Sequence, residues 1–188
     1  MSPFDYLTVL VSIVIGLAIA NVLTRLSVVI TARERVDFYW PPLAWAIWLF
    51  FIAVQHWWAQ WSVHNTREWT FPTFCLEVFV PVLLFLLSSL VLPEREENGK
   101  LDLGEWYFRN RAWFFAVLFL VPATSLAEEF TRTGRIGSPV NLGFLLFFEV
   151  MIAAAFVAKS RRAQEWITGQ AMVATLIYVV VLFLRLPG

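Results

Sequence analysis

The chain has 188 residues, 60% of them hydrophobic, a mean hydropathy of +0.70 and no net charge. That apolar share exceeds what a soluble domain carries, and a neutral chain has no electrostatic footprint for nucleic acid. The single cysteine, Cys75, excludes an intrachain disulfide and any multi-cysteine metal site, and is expected to be a small core residue.

Charges gather in short clusters between apolar runs long enough for membrane helices. The opening MSPFDYL has no basic n-region, and the apolar run behind it is too long for a signal-peptide core, so no cleaved leader is expected. One transmembrane domain is predicted, with spans over about 6–30, 40–62, 71–92, 112–130, 140–158 and 167–186. The expected fold class is therefore all-α, a polytopic bundle of six transmembrane helices.

The first span holds Asn21, expected to bond another helix, and Arg25, expected to snorkel to nearby headgroups. The second opens on Pro41-Pro42, which a first helical turn tolerates because its N–H groups lack partners. It carries half of the ten tryptophans, between Trp45 and Trp61, and closes on QHWWAQWSVH. Pro81 in the third span and Pro122 in the fourth predict kinks. Between these spans, residues 93–111 read as a charged loop, with an amphipathic piece over Leu101–Phe108 that suits the membrane surface. The fifth span contains Glu149, and the sixth follows the basic turn KSRRAQEW.

Lysine and arginine set the orientation. Loops after spans one, three and five carry Arg33, Arg35, Arg95, Lys100, Arg109, Arg111, Lys159, Arg161 and Arg162, against Arg67, Arg132, Arg135 and Arg185 on the other side. This places the odd loops in the cytoplasm and both termini outside. Trp57, Trp58, Trp61 and Trp69 mark the outer interface, and Trp40, Trp106, Trp113 and Trp166 the inner one. Trp45 and Trp48 lie deeper, either for packing or to line a lipid- or quinone-shaped groove. A shift that carries Pro42 onto Pro139 also carries Leu49-Phe50-Phe51 onto Leu146-Phe147-Phe148 and Glu68-Trp69 onto Glu165-Trp166. That pattern suggests a weak 3+3 inverted repeat, with chance among Leu and Phe as the alternative.

Candidate chemistry follows from polar groups in oil. An ionisable side chain at the bilayer centre costs about 2.5–3.5 kcal/mol on insertion scales, so each one calls for a use. Glu149 lies ten residues into the fifth span, and its carboxyl is expected to be protonated or paired. It is either a proton- or cation-binding group or a neutral packing contact. His56, Gln60 and His64 recur every fourth residue and form one stripe. Glu77 enters the next antiparallel helix at the depth of His56, so a His–Glu pair is expected. Glu128 and Glu129 would join His64 in an outer vestibule. The pathway set is thus Glu149, His56, Glu77, Gln60 and Asn21. No tight ligand spacing supports a metal, and haem would have only one histidine-bearing segment to ligate it, so no cofactor is expected.

MSPFDYL with LVSIVIGLAIANVLTRL, FYWPPLAWA, VQHWWAQW and LVLPE resemble a group of small, uncharacterised bacterial integral membrane proteins over about the first half of the chain. The resemblance implies a bacterial inner-membrane location and carries over no activity. Three functional readings remain. The first is proton or cation permeation, the second a non-catalytic accessory or assembly subunit of a larger membrane complex, and the third a haem- or lipid-handling membrane enzyme. The lipid bilayer is the expected partner, together with further copies of the chain in a homo-oligomer, because so short a chain encloses little by itself.

Overall fold

The structure, a computed structural model, describes residues 3–63, 70–95, 100–134 and 138–182. Its helices are α1 (Pro3–Thr31), α2 (Trp40–Ala59), α3 (Phe71–Val91), α4 (Leu103–Thr133), α5 (Pro139–Val157) and α6 (Arg161–Leu182). Short 3-10 turns cover Arg33–Arg35 and Gln60–Val63. Two-residue strands β1 (Val36–Asp37) and β2 (Leu101–Asp102) pair in parallel.

The chain is thus all-helical, and α1 to α5 are long and apolar enough to cross a membrane. Helix α6 is of similar length but opens on Arg161, Arg162, Gln164 and Glu165, and it does not join that set. Large apolar side chains cover the outside: Leu17, Ile47, Leu86, Phe119, Leu146 and Val150 are all exposed. An apolar surface this extensive needs a non-aqueous cover. Helix α3 is the most enclosed, with 44% of its most apolar stretch buried, and α5 the least, with 17%.

The helix starts follow local chemistry. Thr70 caps α3 in a reciprocal box with Thr73, and Ser138 caps α5 through the Asn141 N–H at 3.2 Å. Gly134, in the left-handed region at φ 66°, ends α4 by donating its N–H to the Phe130 carbonyl. Pro81 and Pro122 lie within unbroken helices.

Helix α4 corrects the expected loop over 93–111. Asp102 Oδ1 accepts the Glu105 N–H at 2.7 Å and starts the helix at Leu103, nine residues before the predicted span. The apolar face of Leu101–Phe108 turns onto protein rather than the membrane surface. Leu101, Leu103 and Tyr107 are buried, and Trp106 Nε1 donates to the Leu90 carbonyl at 3.0 Å. Asp102→Ala is expected to cost about 1 kcal/mol, the usual worth of an N-cap. A denaturant titration in detergent micelles reads it, and Asp102→Ser should restore most of the loss.

Packing does not follow the expected 3+3 repeat. Helix α3 lies against both α1 and α4, and α6 packs on α2 and α5. Among the described residues, α4 and α6 form no counterpart to the broad α1–α3 contact. Two indoles bind α2 to α6 instead: Trp45 Nε1 donates to Thr168 Oγ1 at 3.1 Å and Trp48 Nε1 to Thr175 Oγ1 at 2.7 Å. Trp45 is 3% exposed and meets the edges of Phe114 and Phe115. With Leu49, Leu84, Leu87 and Leu118 they belong to one buried apolar cluster.

The end bearing the basic loops is tied by polar contacts. Arg25 is buried rather than snorkelling; it donates to the Leu92 carbonyl at 2.6 Å, past the C-terminus of α3, and lies 3.9 Å from exposed Glu94. Its Nε donates to Asn21 Oδ1 at 3.2 Å, and Asn21 Nδ2 donates to Ser88 and Ser89, each at 2.9 Å. Arg111 reaches the carbonyls of Ala155, Phe156 and Ala158 at the end of α5. Fully buried Gln164 donates to Ala155 and Ala158 and accepts from the Tyr107 hydroxyl at 2.7 Å. These contacts supply donors to carbonyls that helix ends leave unpaired. Tyr39 donates to the Arg161 carbonyl at 3.3 Å. Burial, aided by the charge of Glu165 and opposed by that of Arg161, pushes its hydroxyl up to about 12, so it remains a donor at neutral pH. Cys75 is exposed and not part of the core.

Candidate functional site

The opposite half of the bundle holds the polar groups that no helix end requires. Gln60 follows α2 directly, one helical turn after His56, and Glu77 lies in the second turn of α3. Gln60 Nε2 sits 3.2 Å from His56 Nε2 and donates to Glu77 Oε2 at 3.3 Å. Gln60 and Glu77 are 7% and 6% exposed. Spacing by four placed His56 and Gln60 on one stripe, and equal depth on antiparallel helices put Glu77 beside them. His64 lies outside the described residues.

One amide serves both neighbours, which constrains the chemistry. With its NH₂ facing them, Gln60 spends one hydrogen on the Glu77 carboxylate and the other on the Nε2 lone pair of His56, whose own proton is then on Nδ1. Gln60 Oε1 is left buried with no hydrogen-bond partner. Turned over, the amide would offer its oxygen to an imidazole Nε2–H and a carboxylic O–H. The two orientations therefore correspond to different proton inventories of the same three side chains.

His56 also forms part of the wall of a cavity of about 100 Å³, lined by α2, α3, α4, α5 and α6. Its polar lining comprises Gln55, His56, Ser125, Thr175, Tyr178 and the Trp48 indole; Val80, Leu118 and Phe148 are among its apolar walls. A water molecule occupies about 30 Å³ of liquid, so this volume suits a few waters or one small ion. Beyond the cavity, the Tyr178 hydroxyl donates to Asn141 Oδ1 at 3.2 Å, and Asn141 Nδ2 donates to Glu129 Oε2 at 3.2 Å. Half-buried Glu128 precedes it on α4. Two acids thus connect to cavity-wall residues through hydrogen bonds, Glu77 through Gln60 and Glu129 through Asn141, both at the bundle end away from the basic loops.

Two predicted residues lie elsewhere. Asn21 belongs to the Arg25 cluster: its partner Ser88 is eleven residues from Glu77 along α3, about 16 Å of helix. Glu149 follows the wall residue Phe148 but does not itself line the cavity, and its Oε2 is buried without a hydrogen-bond partner. The residues that sequence reasoning passed over are Tyr178, Asn141 and Thr175. Each is flanked by apolar residues in sequence, and only tertiary packing brings them to the cavity and its border. No group of three or more metal-ligating side chains occurs among the described residues.

No protein-family model, curated protein or solved structure matches this chain.

Proposed function

We propose that this chain is an integral membrane protein of six spanning helices that passes protons or a small cation through the bundle. The observation that carries the reading is the cavity of about 100 Å³ beside His56, with two acids linked to its wall by hydrogen bonds. Polar residues inside a membrane bundle are costly and mark pathways by default. The His56 imidazole can hold a proton on either ring nitrogen, and the Gln60 amide couples its state to that of Glu77. The excess of basic loops at one end supports an orientation with that end in the cytoplasm of a bacterial cell and both termini outside.

The test is flux. Protein reconstituted into liposomes with an internal pH-sensitive dye should dissipate an imposed pH gradient faster than empty liposomes, once a potassium ionophore clamps the voltage. Potassium and sodium gradients, read with cation dyes, would identify an ion other than the proton. Rates equal to empty liposomes for all three would end the reading.

A second reading draws on the buried apolar cluster that includes Trp45, Phe114, Phe115 and Leu118. A bundle held mainly by such packing suits an accessory subunit whose outer apolar faces dock a larger membrane complex. Absence of flux together with stable copurification of other membrane subunits in mild detergent would favour it.

A further inference from the structure

Helix α6 bears a groove of about 730 Å³ on its outer side, separate from the cavity. Trp40, at the start of α2, and Phe147, on α5, contribute to its lining from the neighbouring helices. Gly169 and Ala174 keep the α6 side low, and a Cβ added to Gly169 would meet nothing within 4 Å.

The lining is graded along its length. Glu165 and Trp166 lie nearest the basic end, and Val173 and Ile177 lie farthest in. Exposed Arg162 precedes them on the same helical stripe, one turn before Trp166. Gln170, the polar side chain farther in, is five residues beyond Glu165, about 7 Å along the axis. From Glu165 to Ile177 the groove runs twelve residues, about 18 Å. One leaflet contributes about half of a hydrocarbon core of ~30 Å, so the groove matches a single leaflet in depth. Its volume of about 730 Å³ admits an extended hydrocarbon chain laid along α6.

We propose that this groove is a binding site for one phospholipid from the leaflet at the basic end. An acyl chain lies along Gly169, Val173 and Ile177. The Gln170 amide donates to an ester carbonyl at the depth where the glycerol sits. The phosphate meets Arg162, and Trp166 and Trp40 flank the headgroup at the interface, where indoles are favoured. Glu165 beside Arg162 selects a headgroup that also carries an ammonium, a zwitterionic phospholipid. The proposal rests on the membrane reading above but is independent of the cavity.

The experiment is native mass spectrometry of the full chain extracted in mild detergent from membranes of mixed zwitterionic and anionic phospholipids. One zwitterionic phospholipid per chain should survive extraction. Gly169→Leu and Ala174→Leu, which fill the groove from its low side, should each reduce the retained fraction at least about tenfold with unchanged elution in size exclusion. Arg162→Ala should weaken retention and remove the headgroup preference. Equal retention by parent and both groove-filling variants would overturn the proposal, as would disulfide trapping of Val173→Cys between two copies in native membranes. Failure of the chain to fractionate with membranes would instead overturn the membrane reading itself.

Discussion

Replacing His56 with leucine is expected to reduce flux through the reconstituted protein at least about tenfold, a barrier increase of about 1.4 kcal/mol or more. Leucine fills similar space on the cavity wall, yet it can neither accept nor donate a proton. It also removes one of the two groups that the Gln60 amide serves. Glu77→Gln should show a similar loss, because two facing amides cannot follow a change in proton number. Tyr178→Phe should produce a smaller loss, since it breaks the link to Asn141 but leaves the cavity and His56 in place. Glu149→Gln is the contrasting variant. Its carboxyl is off the cavity wall, so flux should stay within about twofold of the parent. Equal loss in the His56 and Glu149 variants would place the route along α5 instead. Each variant should match the parent in tryptophan fluorescence, with Trp48 in the wall reporting the cavity.

The largest expected stability effect is at Arg111. Its guanidinium donates to the carbonyls of Ala155, Phe156 and Ala158, closing the C-terminal end of the least enclosed apolar helix. Hydrogen bonds from a charged donor contribute about 1.5–3 kcal/mol each and do not add fully, and the helix-end dipole adds a further favourable contribution. Arg111→Leu is therefore expected to destabilise the bundle by about 3 kcal/mol in a denaturant titration. All three contacts come from Nη1, and Arg111→Lys should recover part of the loss, because the ammonium keeps the charge and the donors at this helix end but on a shorter stem. Gln164→Leu should lose about 1.5 kcal/mol, since it removes the acceptor of the Tyr107 hydroxyl while Arg111 still serves the Ala155 and Ala158 carbonyls. A loss below about 1 kcal/mol for both would mean that interfacial water replaces these donors.

The helices were legible in the sequence because their apolar runs are long and their punctuation is local. Pro41-Pro42 does open α2 within its first turn, as its lack of N–H donors required. The early start of α4 was also legible, in Asp102-Leu103-Gly104-Glu105, an N-cap residue followed three places later by an acid. The charges around it drew attention to a loop instead. Spacing sufficed for His56, Gln60 and Glu77 because stripe and depth are one-dimensional quantities. Tyr178, Asn141 and Glu129 could not be joined in that way. Three different helices bring them together, and nothing in the chain's periodicity sets which faces of α4, α5 and α6 meet. Arg25 shows the same limit. Its position in the first apolar run predicts an escape toward headgroups, whereas the end of α3 lies close enough to hold it.

The interleaving of α3 with α4 and of α2 with α6 also bears on how the molecule is assembled. A fragment ending after α3 would present the faces meant for α4 and α6 to lipid, with the Trp45 and Trp48 indoles lacking acceptors. On the membrane reading, the early helices wait in the bilayer for α6 before the indoles are satisfied. Two separately expressed fragments should accumulate only together, and the final helix acts as the latch of the whole assembly.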